Sequence, residues 1–523
     1  MRKLHHIGLL IALVCLATGV ARAQSFRVQC PTSTITHPVA ANNDSEPAYA
    51  GPTYSGTTGF PAAPARVNGA IKCQQISGGD GFATMGDGTQ TYMFSFGPLS
   101  GLVDIANGQP GTEPPRVFNT PYSGPPLLPG DPATTGLGSF TYNGAVGLAP
   151  ETYTDASGNP VTAINGHVDP RPIEDVGVMN GNIPAPLMAI DEDDEFFLTL
   201  TNVGMIMRPD LFEQHTVHFH GYPNASAFYD GVPDASVAIN IGGSFTYYYL
   251  APDAGTYFWH CHITPPEHLQ MGMVGQLYVR PRQNRVPVNG SLYAALQQQQ
   301  LDPRTACNSA TDILCSNPLP IPSNTVPRAA AGKYAYNDGD GSTYYDVEYP
   351  LQIHGFDPSF HFVGMTFNPE QFTDMKDKYF LLNGRSYPDT VTPGPLETQT
   401  TDGANHFSQP LSSIINIPAG KKALLRISDL DVTEYQTLAS LGIPMNVIAI
   451  NAKLLRDQAG NNLNYNTNSI TLAGGESIDV ILDATDTTKY PSGSVFYLYT
   501  PNLDHLSNDA ENFGGLMTEV RIN

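Results

Sequence analysis

Cationic side chains are scarce in this 523-residue chain, where 25 lysines and arginines stand against 48 aspartates and glutamates for a formal net charge of −23. That balance excludes a nucleic-acid binder, whose affinity comes from basic patches that neutralise phosphates. It is compatible with attracting metal cations or cationic partners, although solubility alone would account for it. Long apolar runs are also missing: no interior stretch approaches the roughly 18–20 residues of a transmembrane helix. Tryptophan occurs once and cysteine six times.

Glycine (50) and proline (45) are abundant, aromatics make up 10%, and short V/I/T/Y/F runs recur. These features argue for β-sandwiches and against a helix bundle. Arg2 and Lys3, an apolar run from Ile7 to Val20, and A-R-A before Gln24 read as a signal peptide over residues 1–23, removed after Ala23. The leader carries three basic residues and no acid, so its loss takes the net charge to −26. A secreted or periplasmic location follows. Cys15 leaves with the leader; a lipid-attachment role is the weaker reading, because A-L-V before it lacks the expected small residues. Cys30, Cys73, Cys307 and Cys315 form an even set that suggests disulfides. Proximity favours Cys30–Cys73 and Cys307–Cys315 among three pairings.

The chemistry concentrates between His215 and Met273. Q-H-T-V-H-F-H-G supplies His215, His218 and His220, and W-H-C-H-I-T-P-P-E-H-L-Q-M-G-M supplies His260, Cys261, His262, His268 and Met273. Two imidazoles, one thiolate and a weak axial thioether make the trigonal set that favours copper and suits electron transfer, and His215, His268, Cys261 and Met273 provide it. Strand alternation puts His218 and His220 on one face, and His260 and His262 on the face opposite Cys261. A lone strand histidine is usually a satisfied polar residue, and a lone free cysteine a small buried hydrophobe. Clustering around one Cys and one Met argues for a metal site instead. Zinc would want several thiolates or a closed tetrahedral set.

On these residues the chain resembles a multicopper oxidase, a family built from cupredoxin domains. H-x-x-H-x-H-G and H-C-H…H-x-x-x-x-M resemble its ligand segments. The resemblance implies a type 1 copper on His215, Cys261, His268 and Met273, and a type 2/type 3 cluster on His218, His220, His260 and His262. V-M-N-G-N-I-P-A-P (178–186), F-F-L-T-L-T-N (196–202), A-F-Y-D-G-V-P (227–233) and D-A-G-T-Y-F-W-H-C-H (253–262) fit the framework. Asp230 stands where the family places an acid beside the type 2 copper; the alternative is a turn aspartate before glycine. The likeness extends to bacterial secreted members with type 1 ligands in their first copper domain, manganese oxidases among them. Cys261 and His268 lie seven apart, two more than in most laccases, through the Pro265-Pro266 insertion; copper nitrite reductases also have a longer loop here.

The fold class expected is all-β, with two cupredoxin-like Greek-key β-sandwich domains carrying long irregular insertions. Residues 24–87 read as an irregular N-terminal extension, 88–282 as the copper-binding domain with an insertion at 98–175, and 283–345 as an insertion and linker. Residues 346–523 read as a second, copper-free cupredoxin-like domain. D-E-D-D-E (191–195) reads as a solvated turn, and N-D-G-D-G-S (337–342) as a turn, since Tyr349 occupies the place of a calcium loop's final glutamate. The family's cluster needs eight histidines and this chain supplies four. Gln352 replaces the first histidine of one candidate pair, and His354, His361, His406 and His505 stand singly. The expectation is a copper oxidoreductase that couples one-electron oxidation of Mn(II), Fe(II), Cu(I) or a phenol to reduction of O2 to water. Electrons enter through the outward edge of His268. A homo-oligomer or a second copper-domain polypeptide would complete the cluster. The alternatives are a non-catalytic blue-copper electron carrier or copper-binding subunit, and nitrite reduction.

Overall fold

The structure, a computed structural model, describes residues 27–55, 63–127, 141–222, 226–308, 312, 315–321, 326–366, 368, 371–399 and 405–523. The signal peptide and Cys15 lie outside them.

Eight strands form the first sandwich: β1 (Ile71–Thr84), β2 (Gln90–Pro98), β3 (Met188–Asp191), β4 (Glu195–Gly204), β5 (His218–His220), β6 (Ser244–Leu250), β7 (Gly255–His260) and β8 (Val274–Arg280). One sheet runs β2-β1-β4-β6 and the other β3-β8-β7-β5. From β3 to β7 the chain alternates between the two sheets. Their inner faces bury Ile76, Phe94, Phe96, Leu198, Leu200, Phe219, Tyr247 and Trp259. At about 25 cal/mol per Å2 of apolar surface, burial of this kind supplies most of the drive to fold.

The expected irregular extension over 24–87 is corrected at its C-terminal end. Residues 71–84 form a fourteen-residue strand, antiparallel to β2 and parallel to β4. It is buried almost throughout, so it lacks the alternation of a half-exposed strand, and its glycines hide the β signal further. The insertion at 98–175 is less irregular than expected. Helices Leu102–Ala106 and Pro115–Phe118 and the hairpin Glu151–Thr154/Pro160–Ala163 lie within it, and the helix Pro170–Gly177 begins in it. Leu102, Phe118, Val146 and Ile173 share a small core with Val28 and the Cys30–Cys73 disulfide. Residues 283–345 include the helix Leu292–Gln299 and the Cys307–Cys315 disulfide.

Among the described residues the second sandwich pairs a seven-stranded sheet around Lys422–Asp429 with a five-stranded sheet around Val495–Tyr499. Leu351, Ile427, Val447, Val480, Leu498 and Val520 lie in its core. The sandwiches meet through buried polar groups. Gln276 donates to Arg426 O and Ser428 Oγ at 2.9 Å, Thr256 Oγ1 to Asp479 at 2.6 Å, and Arg280 bonds Glu348 at 2.9 Å.

The solvated turn expected at 191–195 is overturned. Glu192, Asp193, Asp194 and Glu195 are all buried. Arg282 spans Glu192 and Asp193, Arg304 reaches Asp193 at 3.0 Å, and His37 meets Glu195 at 2.8 Å. Burial alone would raise the Asp193 carboxyl, but the guanidiniums, Arg282 foremost, hold it below the usual range. The guanidiniums lie 89 and 111 residues after Asp193 and His37 lies 158 residues before Glu195, so no local pattern announces them. At 337–342 the structure shows a turn, in which the Asp338 carboxylate accepts the backbone N–H groups of Gly341 and Thr343.

Candidate metal centre

Cys261 follows directly on β7 and is fully buried in the first core. His215 sits at an isolated bridge to Ile239, and His268 lies on the short helix Pro265–Gln270. Their Nδ1 atoms face the thiol sulfur, His268 at 3.2 Å and His215 at 4.0 Å. Met273 is buried in the same core, and its backbone is tied to both ligand positions. Cys261 N–H donates to Met273 O at 3.1 Å, and Met273 N–H to His268 O at 2.8 Å.

The spacing can be tested against an ion. Donors at about 2.0 Å (nitrogen) and 2.3 Å (thiolate) from one metal, at trigonal to tetrahedral angles, stand about 3.5–3.8 Å apart. The two observed Sγ–Nδ1 distances bracket that range, so the set fits a bound metal. Electrostatics agree. Burial would raise the Cys261 thiol, yet His268 and His215 bring it well below its ordinary value. Burial likewise opposes charge on His268, but the sulfur and Glu213 push it up to about 10. The thiolate, the ligand form of cysteine, is therefore favoured.

The second cluster lies on the opposite face of the same strands. β5 pairs with β7 so that His218 faces His260 while Phe219 and Trp259 turn into the core. The ring centroids of His218 and His260 are 5.3 Å apart, those of His218 and His262 5.1 Å, those of His260 and His262 5.3 Å, and those of His218 and His220 6.0 Å. One nitrogen each of His218, His220 and His260 lies within 4.8 Å of the others. His218 Nδ1 contacts Asp230 O at 2.7 Å and His260 Nδ1 contacts Cys261 O at 2.7 Å, leaving Nε2 of each for an ion. Burial drives His260 down to about 3, a neutral donor. The Asp230 carboxylate stands 3.4 Å from His218.

Of the second domain's single histidines, the described ones, His354, His361 and His505, are not brought into this cluster. His354 and His361 contact backbone carbonyls, and His505 bonds Gln436 and Glu434. The His406 side chain lies outside what is described. One expectation about the first set also fails: His268 presents no edge to solvent. It is fully buried, with Phe94 packed edge-on at 5.2 Å and its Nε2 3.6 Å from Glu213. The two-residue insertion folds into a helical turn that carries the imidazole inward.

Three contributors escaped the motif reading. Glu213 lies two residues before His215. Thr216 donates its N–H to Cys261 Sγ at 3.4 Å and accepts His262 N–H on Oγ1 at 2.9 Å. Gly78 on β1 approaches so closely that a Cβ there would stand 2.7 Å from the His215 ring. Adjacency to the ligands was the only available signal for Glu213 and Thr216, and nothing in the sequence marks Gly78.

The multicopper oxidase family matches residues 161–284. Laccase abr2 of Aspergillus fumigatus is 34% identical over 109 residues, 20% of this chain and 17% of that protein. Multicopper oxidase MmcO of Mycobacterium tuberculosis is 34% identical over 136 residues, 24% of this chain and 25% of that one. A copper-containing nitrite reductase of Rhizobium meliloti is 32% identical over 117 residues, 21% and 28% of the two chains. The chain thus spans between 17% and 28% of these relatives' lengths. The likeness to multicopper oxidases is carried by residues 161–284.

Proposed function

We propose that this chain is a copper-dependent oxidoreductase of the multicopper oxidase type, taking electrons singly from Mn(II), Fe(II), Cu(I) or a phenol and reducing O2 to water. The observation that carries the reading is the junction at His260-Cys261-His262, where one buried cysteine stands between two histidines that face away from it. Copper would supply one-electron redox chemistry at the thiolate set and oxygen binding at the histidine cluster.

The chain's own residues do the rest. Cys261 Sγ and the Nδ1 atoms of His215 and His268 would hold the copper, with the buried Met273 thioether as a further, weaker donor. Thr216 N–H fixes the sulfur, and the packed core excludes water from it. The peptide links flanking Cys261 give a path of few bonds to His260 and His262. Glu213, half-buried with its carboxylate 3.6 Å from His268 Nε2, marks the side from which a reductant would approach. Asp230 holds His218 through its carbonyl, and its carboxylate is placed to deliver protons to the cluster. The leader sequence and the two disulfides support export, and no described helix is long and apolar enough to cross a membrane.

The hydrogen-bonded state of His354, His361 and His505 favours a second reading, a non-catalytic blue-copper electron carrier or copper-binding subunit. Oxygen-electrode assays on copper-loaded chain with each reductant separate the two, and nitrite offered as the acceptor tests nitrite reduction. Oxygen uptake supports the oxidase. A chain that is reduced and reoxidised without consuming oxygen or nitrite overturns it in favour of the carrier.

A further inference from the structure

The helix Pro265–Gln270 is only six residues long and carries His268 in its last turn. Such a helix cannot satisfy its final carbonyls internally, and here donors come from the other domain. His354, on the second-domain strand Val347–Phe356, places Nε2 2.9 Å from Leu269 O. His361, on the second-domain helix Pro358–Met365, places Nε2 2.9 Å from Gln270 O and Nδ1 2.6 Å from Tyr92 O on β2. The Gln270 side chain is gripped at both ends: Nε2 donates to Asp377 Oδ1 at 2.9 Å, and Oε1 accepts Asp357 N–H at 3.1 Å. All four of these second-domain residues are buried, as is Gln270, and His361 is stacked on Phe356 at 3.6 Å.

We propose that His354 and His361, with Asp357 and Asp377, are positioning residues. They clamp the end of the ligand helix, and so the second domain sets the placement of His268 against Cys261. The inference rests on the copper reading of the Cys261 set, but its geometry exists without metal. It gives the solitary second-domain histidines a role other than ligation. The buried His361 ring lies between Gln270 O and Tyr92 O, and as a neutral imidazole it donates to one of them; Tyr92 lies two residues from Phe94, which packs on His268. Buried interdomain bonds suit this task, because a carbonyl that loses its donor away from water is costly.

The test compares His354→Leu, which removes the donor, with His354→Gln, whose amide nitrogen can occupy the place of Nε2. In the metal-free full chain, hydrogen exchange is followed over residues 264–274, with 436–450 as the internal control. In the copper-loaded chain the thiolate absorption band is recorded. His354→Leu is expected to exchange about tenfold faster over 264–274 alone and to shift or weaken the band, while His354→Gln matches the parent in both. Should His354→Leu lose protection throughout, His354→Asn, polar but too short to reach Leu269 O, carries the same expectation. Unchanged exchange and band in the leucine variant, or a glutamine variant as defective as leucine, would overturn the clamp. A parent chain with no thiolate band would strike the copper reading instead, and the metal-free exchange would still decide the clamp.

Discussion

If the second domain holds the ligand helix, the contacts joining the domains should be costly to break, and Glu348 offers the sharpest case. Its Oε1 takes Arg280 Nε and Nη2 from β8 at 3.0 and 2.9 Å, and its Oε2 takes Arg426 Nε at 3.1 Å. Burial would raise this carboxyl, but Arg280 and then Arg426 pull it from 4.5 down to about 2. A folded-state value below the unfolded one means stability that is fully present above the unfolded value. It is lost as pH falls through the folded one. The displacement corresponds to roughly 3 kcal/mol at neutral pH. Glu348→Gln also leaves the fully buried Arg426 without that countercharge, a loss in the range of about 3–5 kcal/mol for a broken buried pair. A loss near 3 kcal/mol lowers the melting temperature by roughly 6–12 °C. The assay is thermal and urea unfolding of parent and variant from pH 8 to pH 2. The gap should be full above about pH 4.5 and close as pH approaches 2. A gap independent of pH, or one below about 1 kcal/mol at neutral pH, the usual worth of an exposed ion pair, would refute the reasoning.

Other perturbations separate the two faces of the site. Cys261→Ser should abolish the intense blue absorption and all turnover while the circular dichroism stays that of the parent; a blue serine variant would sink the thiolate assignment. His262→Ala should keep the blue band and lose oxygen reduction, whereas His215→Ala and His268→Ala should attack the band directly; loss of the band in a folded His262→Ala chain would mean the faces are misassigned. Asp230→Asn keeps the backbone carbonyl that holds His218 but removes the carboxylate, so oxygen reduction should slow by about 10²–10⁴-fold with the blue band intact. An unimpaired rate would return Asp230 to the role of a turn residue.

What the sequence disclosed follows from how local each signal is. The ligand run was legible because H-x-x-H-x-H and H-C-H are short-range patterns whose chemistry is specific, and because period-two alternation assigns Cys261 and its flanking histidines to opposite faces. The strand Ile71–Thr84 was not legible: burial on both sides removes alternation, and its glycines are required by close approaches such as that of Gly78 to His215. The acidic run at 191–195 misled because acids are usually exposed, while Arg282, Arg285 and Arg304 arrive only through tertiary structure. The burial of His268 depends on how Pro265-Pro266 folds, and spacing alone could not show that. His354 and His361 could be recognised as unpaired, but their hold on Leu269 and Gln270 is an interdomain fact.

On the proposed reading, the first domain holds one copper on the Cys261 set beside a histidine cluster of which the described residues supply half. The direct measurement is copper per chain, with the blue absorption, in a purified copper-loaded sample of known oligomeric state. One firmly held blue copper per chain and fewer than four coppers in total are expected. No bound copper and no blue band would contradict the site itself, and four coppers per chain with no other polypeptide present would contradict the half-furnished cluster.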